Sequence, residues 1–186
     1  MKEKVLENQN KLLQALGTTK VKYIVGTILL SGIGITLPRI FHVLAGSNAG
    51  ATFLPMHIAV LIAGLTFGIT SSTIVAGSSV IVSYLLTGMP SLARLPYMLI
   101  ELVIYAILLS ICNKKMNAYV SLVITMILGR ILYAGVLAVA IYGFGLSAYG
   151  SSVIQSLVVG LPGIILQLAL VPVVAKAIKK GAKLEQ

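Results

Sequence analysis

The chain contains few of the residues on which most soluble proteins depend. Charged residues make up 10% of its 186 residues, and it has four acidic residues, one cysteine and no tryptophan. A soluble domain has about 25% charged residues, so this composition excludes a soluble globular enzyme and a disordered chain. The single Cys112 cannot form an intrachain disulfide, and no Cys/His cluster has the spacing of metal ligands, so a disulfide scaffold and a metal site are excluded.

Apolar residues are abundant, and they are gathered in long runs. They make up 58% of the chain, and the mean hydropathy is +1.04. Six runs occur, at residues 23–38, 54–70, 72–87, 95–112, 117–141 and 153–178. Each run is near or above the ~17–25 residues that cross a bilayer as a helix. We therefore expect an all-α integral membrane protein with six transmembrane helices.

The runs divide the chain into three parts. Residues 1–20 form a polar, cytoplasmic N-terminal segment, and its spaced Val and Leu residues are compatible with a short interfacial helix. Residues 21–180 form a six-helix membrane domain that binds a substrate, and residues 181–186 form a C-terminal tail. A cleavable signal peptide is not expected, because the apolar stretch after Lys22 is too long for a signal core and five more runs follow it.

The basic residues predict the orientation of the chain. With both termini in the cytoplasm, eleven lysines lie inside, whereas only Arg39 and Arg94 lie outside and Arg130 lies within a span. Because cytoplasmic loops carry the excess of Lys and Arg, this orientation is favoured. The net charge of +10 is then explained by topology and by contact with anionic lipid headgroups, with no nucleic-acid partner.

The connections between the runs also differ on the two sides. Residues 38–53, 88–94 and 142–152 form the external connections, whereas the internal turns near residue 70 and at 113–117 are short. Because functional residues are concentrated on longer loops, we expect the working face to be external.

Two ionisable residues, Glu101 and Arg130, lie inside predicted spans. A charge near the middle of a membrane helix costs about 2.5–3.5 kcal/mol on an insertion scale, so such residues are functional candidates. At about 1.5 Å per residue, Glu101 lies roughly 9 Å below the outer surface and Arg130 about 10 Å below it. The two side chains are therefore expected at the same depth, either as a buried ion pair or in a cavity that admits a ligand.

Other polar side chains are expected near this depth. They line a cup formed by the second, fourth, fifth and sixth runs, with one residue from a loop: Asn48, His57, Tyr97, Tyr105, Tyr133 and Gln155. Taken singly, the histidine could be an interfacial hydrogen-bonding residue and the tyrosines membrane anchors. Together with Arg39, Arg94 and Arg130 around Glu101, they favour an anionic small-molecule ligand, because arginine binds carboxylates bidentately.

The first run carries a series of small residues, Gly26, Thr27, Ser31 and Gly34. Such residues let helices approach closely, either within the chain or against a partner subunit in the membrane. No motif of a nucleotide-binding loop, zinc protease or serine hydrolase is present. We therefore expect a protein that is not an enzyme and that carries no cofactor, with any ATP used by partner subunits.

Several strings make the chain similar to a known family. They are Phe53-Leu54-Pro55-Met56-His57-Ile58, Leu61-Ile62-Ala63-Gly64, Leu86-Thr87-Gly88-Met89-Pro90, Glu101-Leu102 and Gly129-Arg130. Over residues 20–180 the chain resembles the substrate-binding S components of energy-coupling-factor (ECF) vitamin transporters, in the subgroup that includes the pantothenate, folate and cobalamin S components.

The resemblance implies a six-helix protein of a bacterial plasma membrane that binds a vitamin near the external face. It also implies a complex with one membrane scaffold subunit and two cytoplasmic ATPases, into which the S component delivers its ligand by toppling in the membrane. In the family, small residues of the first helix, often Ala-x-x-x-Ala, dock on the scaffold. The nearest match here is Thr27-x-x-x-Ser31, so Gly26, Thr27, Ser31 and Gly34 are the expected docking residues.

Pantothenate is the best single candidate for the vitamin. Arg130 would bind its carboxylate, Glu101, His57 and Asn48 its hydroxyl and amide groups, and the tyrosines its apolar part. Two alternatives stay open. One is a self-sufficient proton-coupled carrier that uses Glu101 as a relay, and the other is a structural membrane subunit in which Glu101 and Arg130 pair with each other.

Overall fold

The computed structural model describes residues 2–46, 52–92, 94–139 and 153–182. This part of the chain is all-helical, and its long helices are α1 (Lys2–Ala45), α2 (Pro55–Thr66), α3 (Gly68–Thr87), α4 (Leu95–Cys112), α5 (Ala118–Ala138) and α6 (Val153–Ala182). The six helices lie in the same order as the six apolar runs of the sequence. Five of the six helices are long and apolar enough to cross a membrane, which supports a multi-pass membrane protein.

Helix α2 is the exception to the expected six spans. The run at 54–70 does not form one helix, because the chain turns at Phe67 and Gly68 and α2 has only 12 residues. Gly68 has a φ of +79°, a backbone conformation that glycine adopts without steric cost. All residues of α2 are buried. At about 18 Å, α2 is a central helix enclosed by its neighbours and is shorter than a bilayer-spanning segment.

Helix α1 is longer than the sequence pattern predicts. It is continuous from Lys2 to Ala45, so residue 20 is not a helix boundary and residues 2–20 do not form a separate interfacial helix. Pro38 lies inside the helix, and the predicted external loop at 38–53 therefore begins only after Ala45. Proline is tolerated inside membrane helices because other groups satisfy the backbone that it leaves unpaired.

The helices pack around α2 in alternating directions. Hydrogen bonds and ion pairs join the start of α3 to the end of α4 and the first half of α4 to the second half of α5. The amide of Asn113 at the end of α4 donates to the carbonyl of Leu65 at the end of α2, so these two helices run parallel. Lys22 of α1 donates to the carbonyl of Ala182 at the end of α6.

One end of the bundle, here called the basic end, collects most of the lysines of the described residues. It is formed by the first part of the α1 span, the α2–α3 turn, the α4–α5 turn and the last turns of α6. Its basic side chains are Lys20, Lys22, Lys114, Lys115, Lys176, Lys179 and Lys180. The sequence prediction that these lysines share one side agrees with this arrangement. Arg39 and Arg94 lie toward the opposite end, here called the cluster end.

The small residues of α1 pack inside the chain, which corrects their assignment as a docking surface for a partner. A Cβ atom on Gly26 would overlap the ring of Phe67, and one on Gly34 would overlap Ser79 Oγ. Ser31 accepts a hydrogen bond from Ser78 of α3 at 2.8 Å. Thr27 is buried and donates to the carbonyl of Tyr23. Close approach between α1 and the α2–α3 hairpin therefore explains all four residues.

Candidate functional site

Three ionisable side chains from three helices meet inside the bundle. Arg130 Nη1 of α5 donates to Glu101 Oε1 of α4 at 3.1 Å, and His57 Nε2 of α2 lies 3.4 Å from the same oxygen. The side chains of Glu101 and Arg130 are 9% and 10% exposed, and that of His57 is 2% exposed. We call His57, Glu101 and Arg130 the charge cluster. The prediction that Glu101 and Arg130 lie at one depth is consistent with this contact.

The start of α2 fixes the position of His57. Pro55 occupies the first turn of α2, where its fixed φ suits a helix start and its missing N–H would lack a helical partner in any case. The carbonyl of Leu54 accepts one hydrogen bond from the backbone N–H of His57 at 3.1 Å and another from the side chain of Gln167 at 3.3 Å. Gln167 of α6 is 2% exposed and thus holds an irregular backbone segment inside the bundle.

Gln167 is a positioning residue that the sequence analysis missed. Its signal is an amide in the middle of the apolar run 153–178, and a buried amide needs hydrogen-bond partners. The neighbouring Gly163 lies against Thr52 and Phe53, since a Cβ at that position would be 2.7 Å from the carbonyl oxygen of Thr52. Helix α6 therefore supports the segment that leads into α2.

Tyr105 forms the apolar floor of the charge cluster. Its ring packs edge-on against the imidazole of His57, with 5.3 Å between the ring centroids. Gly129 makes room for this ring, because a Cβ there would lie 2.8 Å from the tyrosine. The hydroxyl of Tyr105 donates to the carbonyl of Met126 at 3.5 Å. Because the hydroxyl is directed at the backbone of α5, Tyr105 mainly packs against the cluster.

Of the remaining predicted site residues, the structure describes the side chains of some but not of others. Tyr97 and Tyr133 are half-buried, and Tyr133 lies near Glu101, Arg130 and Tyr97. The prediction that α4 and α5 bring tyrosines to the level of the charges is therefore consistent with the structure. Asn48 and the side chain of Gln155 lie outside the described residues.

Several nitrogens of the charge cluster are buried without hydrogen bonds. Among the residues that the structure describes, His57 Nδ1, His57 Nε2 and Arg130 Nε have no hydrogen-bond partner. The contact between His57 and Glu101 is close but lacks hydrogen-bond geometry. A buried polar group without a partner costs about 1–3 kcal/mol, and more than 90% of such groups in proteins are satisfied. The cluster therefore has free capacity to bind a polar ligand.

Comparisons with models of protein families, with curated proteins and with solved structures find no match. An assignment of function therefore depends on the charge cluster, the arrangement of the helices and the sequence strings described above.

Proposed function

We propose that the protein is the substrate-binding S component of an ECF-type importer and that it binds a small water-soluble vitamin at the charge cluster. The observation that carries this proposal is the set of nitrogens on His57 and Arg130 that have no hydrogen-bond partner among the described residues. A purely structural ion pair needs no additional hydrogen-bonding capacity, whereas a receptor for a polar molecule does.

Each residue of the cluster has a distinct role in this proposal. Arg130 Nε donates to a carboxylate of the ligand, and pantothenate is the favoured candidate because it combines a carboxylate with hydroxyl and amide groups. His57 contributes a ring nitrogen to those polar groups, while Glu101 holds Arg130 in place through its 3.1 Å contact. Tyr97 and Tyr133, both half-buried, pack against the apolar part of the ligand.

The proposal also includes an orientation and partners. The basic end faces the cytoplasm, as the excess of lysines there favours, and the cluster end faces the exterior of a bacterial cell. A membrane scaffold subunit and two ATPases supply the energy, and the protein itself is not an enzyme. Because the small residues of α1 are occupied by α2 and α3, the scaffold would dock on a different face from the Gly26–Gly34 stripe.

Ligand identification tests this function directly. The chain is purified in detergent, any co-purifying small molecule is identified by mass spectrometry, and binding of pantothenate, folate and cobalamin is measured by isothermal titration calorimetry. We expect one vitamin to bind, with affinity weakened at least about 100-fold by Arg130→Ala. Arg39→Ala is the matched control, because Arg39 is exposed. A folded protein that binds none of the three vitamins and retains no ligand would refute the proposal.

A self-sufficient proton-coupled carrier is the second candidate. The observation that favours it is the 3.4 Å approach of His57 to Glu101, since adjacent histidine and carboxylate groups in membrane helices form proton relays. Proteoliposomes that contain this chain alone distinguish the candidates. Uptake of the vitamin driven by a pH gradient, without ATPase subunits, would favour the carrier over the S component.

A further inference from the structure

The ion pair of the charge cluster is electrically balanced. Glu101 carries one negative charge and Arg130 one positive charge, so the pair has a net charge of zero. A single carboxylate oxygen, Glu101 Oε1, contacts both Arg130 at 3.1 Å and His57 at 3.4 Å. The same carboxylate therefore lies between the permanent cation and the one group of the cluster that can become a cation.

A carboxylate ligand would disturb this balance. Bound at Arg130 Nε, it would share the guanidinium with Glu101, and two carboxylates would then lie around one cation inside the bundle. Two carboxylates in a shared buried site cannot both keep their charge without compensation, and the usual compensation is an added proton. His57 can accept that proton without losing a hydrogen bond, because neither ring nitrogen has one among the described residues.

We propose that the site binds a monocarboxylate together with one proton and that His57 is the residue that takes it. This inference rests on the proposed function and adds the charge class of the substrate. A proton from solvent adds to the free ring nitrogen of His57, no covalent bond of the ligand changes, and the imidazolium pairs with Glu101. Glu101 then contacts both Arg130 and the imidazolium of His57, and Arg130 Nε remains for the ligand.

The surroundings offer few competing groups for the proton. On α4 and α5 the neighbours are Tyr97, Tyr105, Tyr133 and the cation Arg94. Helix α3 carries the half-buried Tyr84, and α1 carries Arg39 and the half-buried His42 toward the same end. Helix α6 has no ionisable residue between 159 and 175. In the part of the chain that the structure describes, the basic side chains that contact Glu101 are Arg130 and His57.

Calorimetry measures the proton directly. Pantothenate, a monocarboxylate, is titrated into the purified chain at pH 8 in two buffers, phosphate and Tris, whose ionisation enthalpies differ. We expect uptake of about one proton per ligand and an affinity that falls about tenfold per pH unit between pH 8 and pH 9. Cobalamin, whose side chains are amides, serves as the comparison ligand without a free carboxylate.

Two variants locate the proton. His57→Gln removes the proposed proton acceptor, and Glu101→Gln removes the negative charge that the proton neutralises. If either variant still binds the ligand, proton uptake on binding should drop to near zero. His42→Gln is the matched control and should keep the uptake of one proton. If His57→Gln fails to fold, the buffer and pH dependence of the wild-type chain and of Glu101→Gln still decide the matter.

The outcomes separate this inference from the proposed function. Three results would overturn the coupling of ligand binding to protonation of His57 and leave a vitamin receptor in place. They are carboxylate binding without proton uptake, binding of cobalamin alone, and unchanged proton uptake in His57→Gln. A chain that binds none of the three vitamins would overturn both proposals.

Discussion

Both ends of the bundle bury polar side chains, but they differ in whether those side chains form hydrogen bonds. Toward the basic end, Ser72 and Ser110 are 0% and 2% exposed, and their hydroxyls bond to each other at 3.0 Å and to the carbonyl of Ala106. At the charge cluster, His57 is 2% exposed, and neither of its ring nitrogens is bonded within the described residues. His57 is thus as deeply buried as the two serines, but the serines form hydrogen bonds and its ring nitrogens do not.

This difference separates polar groups that join helices from polar groups that are available to a ligand. The serine pair contributes modestly to helix association, as interhelical hydrogen bonds in membranes do at about 0.6 kcal/mol on average. In the described interior, three buried side-chain nitrogens of the charge cluster form no hydrogen bond: two on His57 and one on Arg130. Substitutions at the two ends should therefore affect different measurements.

The largest effect is expected from Arg130→Ala. This substitution leaves the buried carboxylate of Glu101 without its cation, and breaking a buried ion pair by removing one partner costs about 3–5 kcal/mol. The free energy of unfolding, measured by SDS titration, should fall by that amount, while Arg39→Ala at an exposed position should change it by less than about 0.5 kcal/mol. A loss below about 1 kcal/mol in Arg130→Ala would mean that Glu101 does not depend on this cation.

The double variant Glu101→Gln/Arg130→Gln separates folding from binding. Two amides can replace the ion pair without leaving a buried charge, and such replacements are often neutral for stability. We expect a folded protein whose affinity for pantothenate is at least about 100-fold weaker, equivalent to about 2.7 kcal/mol. A variant that folds and binds as the wild type does would assign the pair a structural role only.

A pair of glycines in α1 tests the packing between the two ends. A Cβ at Gly34 would overlap Ser79 Oγ, whereas one at Gly32 would meet nothing within 4 Å. Gly34→Ala should therefore lower the free energy of unfolding by about 1–3 kcal/mol. Gly32→Ala should leave it unchanged or raise it by up to about 1 kcal/mol. Equal effects at both positions in SDS titration would argue against internal packing of this stripe.

The smallest effect is expected from Ser72→Ala in the serine pair. Ser110 keeps its 2.7 Å hydrogen bond to the carbonyl of Ala106, so no buried hydroxyl is left without a partner. Stability should fall by about 0.5–1 kcal/mol, and vitamin affinity measured by calorimetry should be unchanged. A weakened affinity would show that the two ends are coupled.

The sequence predicts the positions of the charges well because depth in a membrane follows from counting residues. The rise per residue of a helix is fixed, so Glu101 and Arg130 could be assigned to one level before any contact was known. Their 3.1 Å contact and the nearby His57 agree with that arithmetic. Counting residues cannot give the rotation of each helix about its axis, so the shared oxygen of Glu101 was not foreseen.

Other features depend on backbone geometry and on packing partners, which periodicity does not encode. The turn at Gly68 requires a positive φ, but within an apolar run a glycine equally indicates close helix packing. The sequence pattern predicts the start of a loop at Pro38, yet α1 continues through it to Ala45. The glycines of α1 were correctly recognised as a close-packing face, but the sequence alone does not identify which helix packs there.

The shortness of α2 affects how the charge cluster is supported. A 12-residue helix covers about 18 Å, whereas the hydrocarbon layer is about 30 Å thick. His57 lies in the first turn of this helix, so the position of its imidazole depends on a short segment whose residues are all buried among the longer helices.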